Sequence, residues 1–312
     1  MSLEILVLKM NGCDIRVPTI VSLSYLTVLE LSGITFTCKT FNDSEKLINL
    51  PVLRKYEAEN CSWLNVKGGV TFEVPLLEVL LIKHTLVSKP HESHTVVKFC
   101  APRLNDFTYS DFVLRYTVLL DLDLSTARIV AANIHLIKLS EDSEENMATF
   151  ACEVLKQFNN NVERLKLEVS KNMYDYHLSP VRVPALTDLD DFGMLNRLEL
   201  VREVTGEVLL DFLQKSPFLE TLVIFKVVEF DEEFSNPDNV PFCFISNLQV
   251  LKLGHFDGNE QELRFIKFVM ENALVLKRAS FSAVRSLHIA QVKFEEVKKK
   301  ISSFKRSLEA IF

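Results

Sequence analysis

The chain is short of glycine, of closely spaced cysteines and of long apolar runs. Its 312 residues include eight glycines and no GxGxxG or GxxxxGK[ST] motif, so a glycine-rich phosphate-binding loop is not expected. The six cysteines are scattered, which predicts reduced thiols. No apolar run approaches the roughly 20 residues of a membrane span, and residues 1–10 lack the features of a signal peptide. We therefore expect a cytoplasmic or nuclear protein without a membrane partner.

Positive charge is also limited. The formal net charge is -7, whereas a nucleic-acid partner requires a concentrated basic patch. With 48% hydrophobic and 25% charged residues, the composition is that of an ordered globular protein. The bulk properties therefore predict neither a disordered tail nor a nucleic-acid-binding protein.

A recurring L-x-x-L-x-L pattern dominates the chain, and Asn11 and Cys61 follow two of its copies. The last two apolar positions of each copy alternate with polar ones, which is typical of a half-buried strand. This series predicts an α/β leucine-rich-repeat solenoid (horseshoe) with parallel strands on the concave face and helices or loops on the convex face. An ordinary α/β protein with parallel strands is the alternative. The copies begin at Leu3, Leu26, Leu53, Leu77, Leu104, Leu119, Ile134, Val162, Leu195, Leu219 and Leu248.

The middle of the series is irregular. The copy Leu119/Leu122/Leu124 and the copy Ile134/Ile137/Leu139 start only 15 residues apart, which is too short for a full repeat. The sequence therefore predicts an irregular waist between the copies at Leu104 and Val162.

Helical periodicity appears between copies in the second half. One predicted helix follows Asp142 and Glu145, which are spaced as a capping box, and another begins at Asn259 with Glu262. A third, amphipathic helix is expected to cap the last coil, with a short coiled coil or a contact with an anionic surface as alternatives. The predicted domains are leucine-rich repeats over 1–230, a continuing segment over 231–290 and this helix over 291–312. The third helix carries apolar residues at Phe294, Val297, Ile301, Phe304, Leu308 and Ile311.

Residues 237–278 contain a specific set of motifs: Pro237, Val240-Pro241-x-Cys243, Leu248-x-x-Leu251-x-Leu253, Gly254-x-x-x-Gly258, the helix Glu262 to Met270, and Asn272-Ala273-x-x-Leu276-Lys277-Arg278. This set resembles the FBD domain of plant F-box/leucine-rich-repeat proteins. Earlier segments, such as Leu50-Pro51-x-Leu53, are similar to the repeats of that family. The family usually has a tryptophan near the position of Pro237, and the single tryptophan here is Trp63.

The resemblance implies substrate recognition for a cullin-based ubiquitin ligase, to which an F-box docks through the Skp adaptor. Residues 1–30 do not resemble an F-box, so Skp binding is doubtful. We expect a non-catalytic recognition module that binds a protein or peptide and needs no cofactor. A free-standing decoy or scaffold without a ligase connection is the alternative.

Two groups of residues suggest chemistry instead. His84, His91, His94 and Cys100 could ligate a metal in a hydrolase, although zinc sites usually have closer ligand pairs. The carboxylates around Asp190 could supply acid/base catalysis, but they follow Pro184 in a polar linker. A metal site and a catalytic site are therefore not predicted.

We call the apolar positions of the L-x-x-L-x-L copies the ladder, and their leucines the ladder leucines. Residues between the ladder leucines are expected to point outward and to contact the partner. Val79 with Leu81, and Val223 with Phe225, are apolar at such positions, which is typical of partner contacts. Covering of neighbouring side chains explains them equally well. The predicted partner-binding residues are Val79, Leu81, Lys83, Asp121, Asp123, Arg164, Lys166, Arg197, Glu199, Val223 and Phe225.

Overall fold

Segments of alternating apolar and polar residues form parallel strands in the computed structural model of the chain. The chain divides into two compact units, Met1–Asp142 and Ser143–Phe312, and each is described by itself. The predicted boundaries at 230 and 290 stay a prediction. The structure describes residues 3–37, 45–64, 66, 68–84, 95–112, 118–123, 127–138, 144–171, 189–236, 239–284, 291–304 and 309–311.

The described residues of the first unit form two parallel sheets. The first sheet has the order β1-β3-β5-β8-β10-β12, with β6 pairing with β3, and the second has the order β11-β9-β7-β4-β2. Successive turns of the chain thus alternate between the two sheets. The strands are β1 (Ile5–Arg16), β2 (Ile20–Ser22), β3 (Val28–Thr37), β4 (Lys46–Asn49), β5 (Lys55–Glu59), β6 (Ser62–Leu64), β7 (Val70–Glu73), β8 (Val79–Lys83), β9 (Thr95–Cys100), β10 (Asp106–Phe112), β11 (Val118–Asp123) and β12 (Ile129–Lys138).

The core of this unit lies between its two sheets. Leu29, Tyr56 and Leu80 are register partners on neighbouring strands of the first sheet, and all three are buried. From the second sheet, Phe72 and Phe99 stack with ring centroids 4.6 Å apart, and each ring centroid lies 5.4 Å from that of Tyr56. The aromatic cluster therefore joins the two sheets.

The predicted waist is explained by this second sheet. The segment beginning at Leu119 belongs to β11, which pairs with β9 and not with a ladder strand. In β12 the partners of Phe107 and Tyr109 are Ala132 and Ile134, so the ladder copy is Ile129-x-x-Ala132-x-Ile134 and the predicted register was wrong. Ile129, Ala132 and Ile134 are buried, which fixes this register. Leu124 and Leu139 lie outside the described residues.

The second unit combines one parallel sheet with helices on the return segments. The sheet has the order β13-β14-β15-β16-β17-β18. Its ladder continues through a copy at Leu276, Ala279 and Phe281 that the repeat count did not include. The elements are α1 (Glu144–Lys156), β13 (Val162–Lys171), β14 (Arg197–Thr205), α2 (Gly206–Gln214), β15 (Thr221–Val228), a 3-10 helix (Glu232–Ser235), α3 (Phe242–Ser246), β16 (Val250–Phe256), α4 (Glu260–Asn272), β17 (Arg278–Ala283), α5 (Gln291–Ser303) and β18 (Glu309–Ile311).

The predicted helices α1 and α4 are confirmed. In α1 the apolar residues at helical spacing, including Phe150 and Leu155, are buried. At the start of α4 the Asn259 side chain accepts a hydrogen bond from the Glu262 amide at 2.9 Å. Open parallel sheets with helices on the return segments confirm the predicted α/β solenoid class. The return segments of the first unit carry strands where helices or loops were expected.

The C-terminal segment is shorter as a helix than predicted. Helix α5 ends at Ser303, where the Ser302 and Ser303 hydroxyls donate to the Lys298 and Lys300 carbonyls within the helix. Residues Glu309–Ile311 form β18, which pairs with β17. Pairing supplies hydrogen-bond partners to a strand that would otherwise lie at the edge of the sheet. Ile311 therefore belongs to a strand and not to the predicted helix.

None of the helices in the described part of the chain is long and apolar enough to cross a membrane.

Candidate interaction surfaces

The outward face of the first sheet in the first unit carries the predicted residues of β8. Val79, Leu81 and Lys83 are half-buried and alternate with the buried Leu80. Lys55 and Glu57 of β5 are the register partners of Val79 and Leu81. Strand β8 thus presents a partly accessible apolar strip beside charged neighbours.

Those charged neighbours are paired with one another. The Lys55 ammonium lies 3.1 Å from a carboxylate oxygen of Glu30 and 2.9 Å from one of Glu57. Hydrogen bonds to Glu57 and Glu30 raise the pKa of Lys55, so the lysine stays charged. Because these three groups satisfy each other, the apolar side chains of Val79 and Leu81 are the part of this surface that would gain most by desolvation.

The outward face of the sheet in the second unit carries six of the predicted residues. Arg164 and Lys166 of β13 are register partners of Arg197 and Glu199 of β14. The Glu199 carboxylate lies 3.2 Å from the Arg197 guanidinium and 3.6 Å from the Lys166 ammonium. Two cations therefore share one carboxylate.

Val223 and Phe225 lie on β15 of the same face, and both are half-buried. The Phe225 ring stacks on the His255 ring with centroids 5.0 Å apart. Val223 is the register partner of Glu199 on one side and of Lys252 on the other. Val223 and Phe225 thus form a second apolar strip, along β15, with charged residues on both sides.

Two predicted residues lie on another sheet. Asp121 and Asp123 are exposed as expected, but they belong to β11 of the second sheet in the first unit. The Lys98 ammonium of β9 lies 4.0 Å from the Asp121 carboxylate. They therefore do not share a surface with Val79 and Leu81. The core lies between the two sheets, so the outward face of one sheet points away from the outward face of the other.

His84 is held in a structural network. Its Nε2 lies 2.7 Å from the Cys61 carbonyl, and its Nδ1 lies 3.3 Å from the Asp111 carboxylate. Burial lowers the pKa of His84. The Asp111 carboxylate and the Cys61 carbonyl together raise this pKa by more than burial lowers it, so the result is about 9. A protonated imidazole has no lone pair for a metal, so this network does not suit His84 as a metal ligand.

The remaining candidates for chemistry are dispersed. His91, His94 and Asp188 lie outside the described residues. Cys100 is part-buried on β9, and burial raises the pKa of its thiol. Asp190 and Asp191 are exposed. Among the residues that the structure describes, no three His, Cys, Asp or Glu side chains are placed to hold a metal ion.

Sequence reasoning missed two cations on the face of the second unit. Lys252 and Arg278 lie in register with the predicted residues of β14 and β15 and are exposed. Lys252 stands between the ladder leucines Leu251 and Leu253, so the offset that selected Glu199 also selects it. The copy that includes Arg278 was not recognised, because its central ladder position is Ala279.

The segment that resembled an FBD domain has a specific local structure. The buried Glu262 side chain accepts hydrogen bonds from the Asp257 and Gly258 amides, both at 2.9 Å. Gly258 has a φ of 67°, which favours glycine. The buried Cys243 thiol lies 3.7 Å from the Leu213 carbonyl, which ties α3 to the end of α2. The residues that carry the resemblance thus fix the turn into α4 and the position of α3.

Comparison with known proteins agrees with this geometry. Residues 236–281 match the model of the FBD family. The chain is similar to plant F-box/FBD/LRR-repeat proteins, which confirms the resemblance found in the sequence. An Arabidopsis thaliana protein named "Probable FBD-associated F-box protein" is 32% identical over 30% of the chain and 29% of its own length.

Two Arabidopsis thaliana F-box/FBD/LRR-repeat proteins match over most of the chain. One is 24% identical over 94% of the chain and 61% of its own length. The other is 21% identical over 85% of the chain and 65% of its own length. The chain therefore spans less than two thirds of the length of these relatives. No solved structure matches it.

Proposed function

We propose that the chain is a non-catalytic protein-recognition module, related to the substrate-binding part of F-box/LRR ubiquitin-ligase receptors. The observation that carries the proposal is the pair of half-buried apolar strips, Val79 with Leu81 and Val223 with Phe225, on outward sheet faces. Partly exposed apolar side chains among charged ones resemble the core and rim of a protein interface. The similarity to F-box/FBD/LRR-repeat proteins supports the same function.

The contacts of the two strips support binding and not catalysis. Lys55, Glu57 and Glu199 beside them are engaged in ion pairs, which orient side chains at an interface but do not provide an activated base. His84, whose pKa is raised to about 9, faces Asp111 and the Cys61 carbonyl and not either strip. A target would therefore be held by apolar contacts at the strips and by charges around them.

The test is affinity capture from a plant extract with the full chain and charge-introducing variants. Leu81→Lys and Phe225→Lys should each lower capture of a specific target, because an ammonium would be buried at the contact. Ile20→Lys and Phe242→Lys are matched controls, since these residues are 68% and 56% exposed elsewhere in their units. Unchanged capture by both strip variants, with unchanged circular dichroism, would contradict the proposal.

The ligase connection is tested separately. A pull-down with purified Skp adaptor should be negative for this chain, because residues 1–30 do not resemble an F-box. A positive result would show that the chain contacts the adaptor by another surface. A negative result together with target capture would show that residues 1–312 recognise a target without contacting the adaptor.

A further inference from the structure

The outward face of the sheet in the second unit is basic, although the whole chain has a net charge of -7. Two rows of register partners cross β13 to β17 on this face. They contain five basic residues and one acidic residue, Glu199. The first row is Arg164, Arg197, Thr221, Val250 and Arg278, and the second row is Lys166, Glu199, Val223, Lys252 and Ser280.

The corresponding rows of the first unit have the opposite balance. Across β1, β3, β5, β8 and β10 the charged residues at these positions are Lys55, Asp106, Glu30 and Glu57. The same offset within the repeat therefore carries mainly acidic residues in one unit and mainly basic residues in the other. The basic face is a property of the second unit and not of the repeat pattern.

The basic residues of the two rows outnumber their single carboxylate. Arg164 and Arg197 are direct register partners, about 4.8 Å apart across the sheet, and like charges at such positions are unfavourable. Glu199 is shared between Arg197 and Lys166. Within the two rows the positive excess is therefore greatest on β13, which carries Arg164 and Lys166, whereas Arg197 and Glu199 balance on β14.

Basic residues nearer the carboxyl ends of the same strands lie beside carboxylates. The Arg202 guanidinium lies 2.9 Å from a Glu168 carboxylate oxygen. The Lys226 ammonium lies 2.8 Å from the Asp257 carboxylate and 3.6 Å from that of Glu203. Carboxylates therefore balance Arg202 and Lys226, and the positive excess of this face comes from the residues of the two rows.

The apolar strip of β15 crosses the two basic rows. Val223 and Phe225 of β15 are half-buried, and Val250 of β16 is half-buried beside them. Stacking on His255 fixes the Phe225 ring. The face therefore offers apolar contact in its centre, with Lys252 on one side and Glu199 among the basic residues of β13 and β14 on the other. This is the composition of a protein-binding site more than of a phosphate-backbone site.

We propose that this face binds an acidic peptide segment of the target. An apolar side chain of the peptide contacts Val223 and Phe225, and its carboxylates pair with Arg164, Arg197 and Lys252. This inference rests on the proposed function and specifies the chemistry of the partner. Arginine presents two parallel donors to a carboxylate, so Arg164 and Arg197 supply directional contacts and Lys252 supplies a point charge.

The test uses the full chain and two fluorescein-labelled 12-residue peptides. One contains six glutamates with two phenylalanines, and in the other glutamine replaces every glutamate. By fluorescence anisotropy, the glutamate peptide should bind at least about tenfold more tightly, and the difference should shrink at high salt. Arg197→Glu and Lys252→Glu should each remove most of that preference. Lys299→Glu, on the exposed side of α5, should leave it unchanged.

Each other outcome overturns the inference. Equal affinity for the two peptides, or equal loss with Lys299→Glu, would show that the basic face does not select an acidic segment. Tighter binding of a 12-nucleotide single-stranded RNA than of the glutamate peptide, lost in Arg197→Glu, would assign the face to nucleic acid. If the glutamate peptide fails while target capture still depends on Leu81 and Phe225, the proposed function stands and this inference falls.

Discussion

Replacing the buried Glu262 by glutamine should remove most of the pH dependence that this residue gives to the stability of the second unit. Burial raises the pKa of Glu262 to about 7, against the lowering effect of the Asp257 and Gly258 amides and of Lys226. Its Oε2 accepts both amide hydrogen bonds, and its Oε1 has no hydrogen-bond partner among the described residues. Glutamine keeps an oxygen for the amides and does not ionise.

The magnitude follows from the difference between the folded and unfolded pKa values. A carboxyl whose pKa is raised on folding favours the folded state at low pH, and this contribution is lost as the pH rises through the folded pKa. The unfolded pKa is 4.5 and the folded pKa is about 7. Ionisation of Glu262 should therefore lower the free energy of unfolding by about 2.5 kcal/mol when the pH rises from 5 to 8. The loss should be absent in Glu262→Gln.

The assay is urea denaturation of both proteins at pH 5 and pH 8, followed by far-ultraviolet circular dichroism. The pH-dependent difference in the free energy of unfolding should be smaller in Glu262→Gln by about that amount. Glu260→Gln is the matched control, because Glu260 is an exposed glutamate in the first turn of the same helix. The reasoning is refuted if Glu262→Gln keeps the pH dependence of the original protein, or if Glu260→Gln loses it equally.

Two further perturbations test the first unit. Since the pKa of His84 is raised to about 9, its contribution to stability is full below pH 6.5 and is lost as the pH rises through 9. Asp111→Asn should therefore cost about 2 kcal/mol at pH 6 and much less at pH 9.5 in urea denaturation, and equal losses at both pH values would contradict this. Gly33→Ala should cost about 3 kcal/mol, because φ is 65° and a Cβ would collide with the Met10 carbonyl. Gly12→Ala, with a φ of 69° and open space, should cost only about 1 kcal/mol, and equal thermal shifts for the two variants would show that the close approach is unimportant.

The ladder of each unit could be predicted from the sequence because its signal is local. Buried leucines recur within six residues of each other, and the strand that they form needs only that alternation. Leu198, Leu222 and Leu251 accordingly lie in register on neighbouring strands. In some copies a small residue replaces leucine, as at Ala132 and Ala279. These copies were misread or missed because the pattern is recognised by its large apolar side chains.

The second sheet could not be predicted in the same way. Alternation at period two shows that Asp121 and Asp123 point away from a core, and they are exposed. It does not show which sheet the strand joins, because strands of both sheets bury alternate residues against the same core. The spacing contains the missing information. Ile129 follows Leu104 by 25 residues, a full repeat, and leaves the segment at Leu119 between two ladder copies.

The surfaces were harder to predict than the ladders, because a surface depends on which residues become neighbours across strands. Arg164 and Arg197 are 33 residues apart in the chain, and each alone is an ordinary charged residue between apolar ones. Only the register makes them adjacent and places Glu199 between two cations. The charge balance of a row is therefore the quantity that distinguishes the two units. Once the ladder copies are aligned, the net charge of each row of register partners can be summed from the sequence. That sum indicates the basic face, including Lys252, without any further property of the fold.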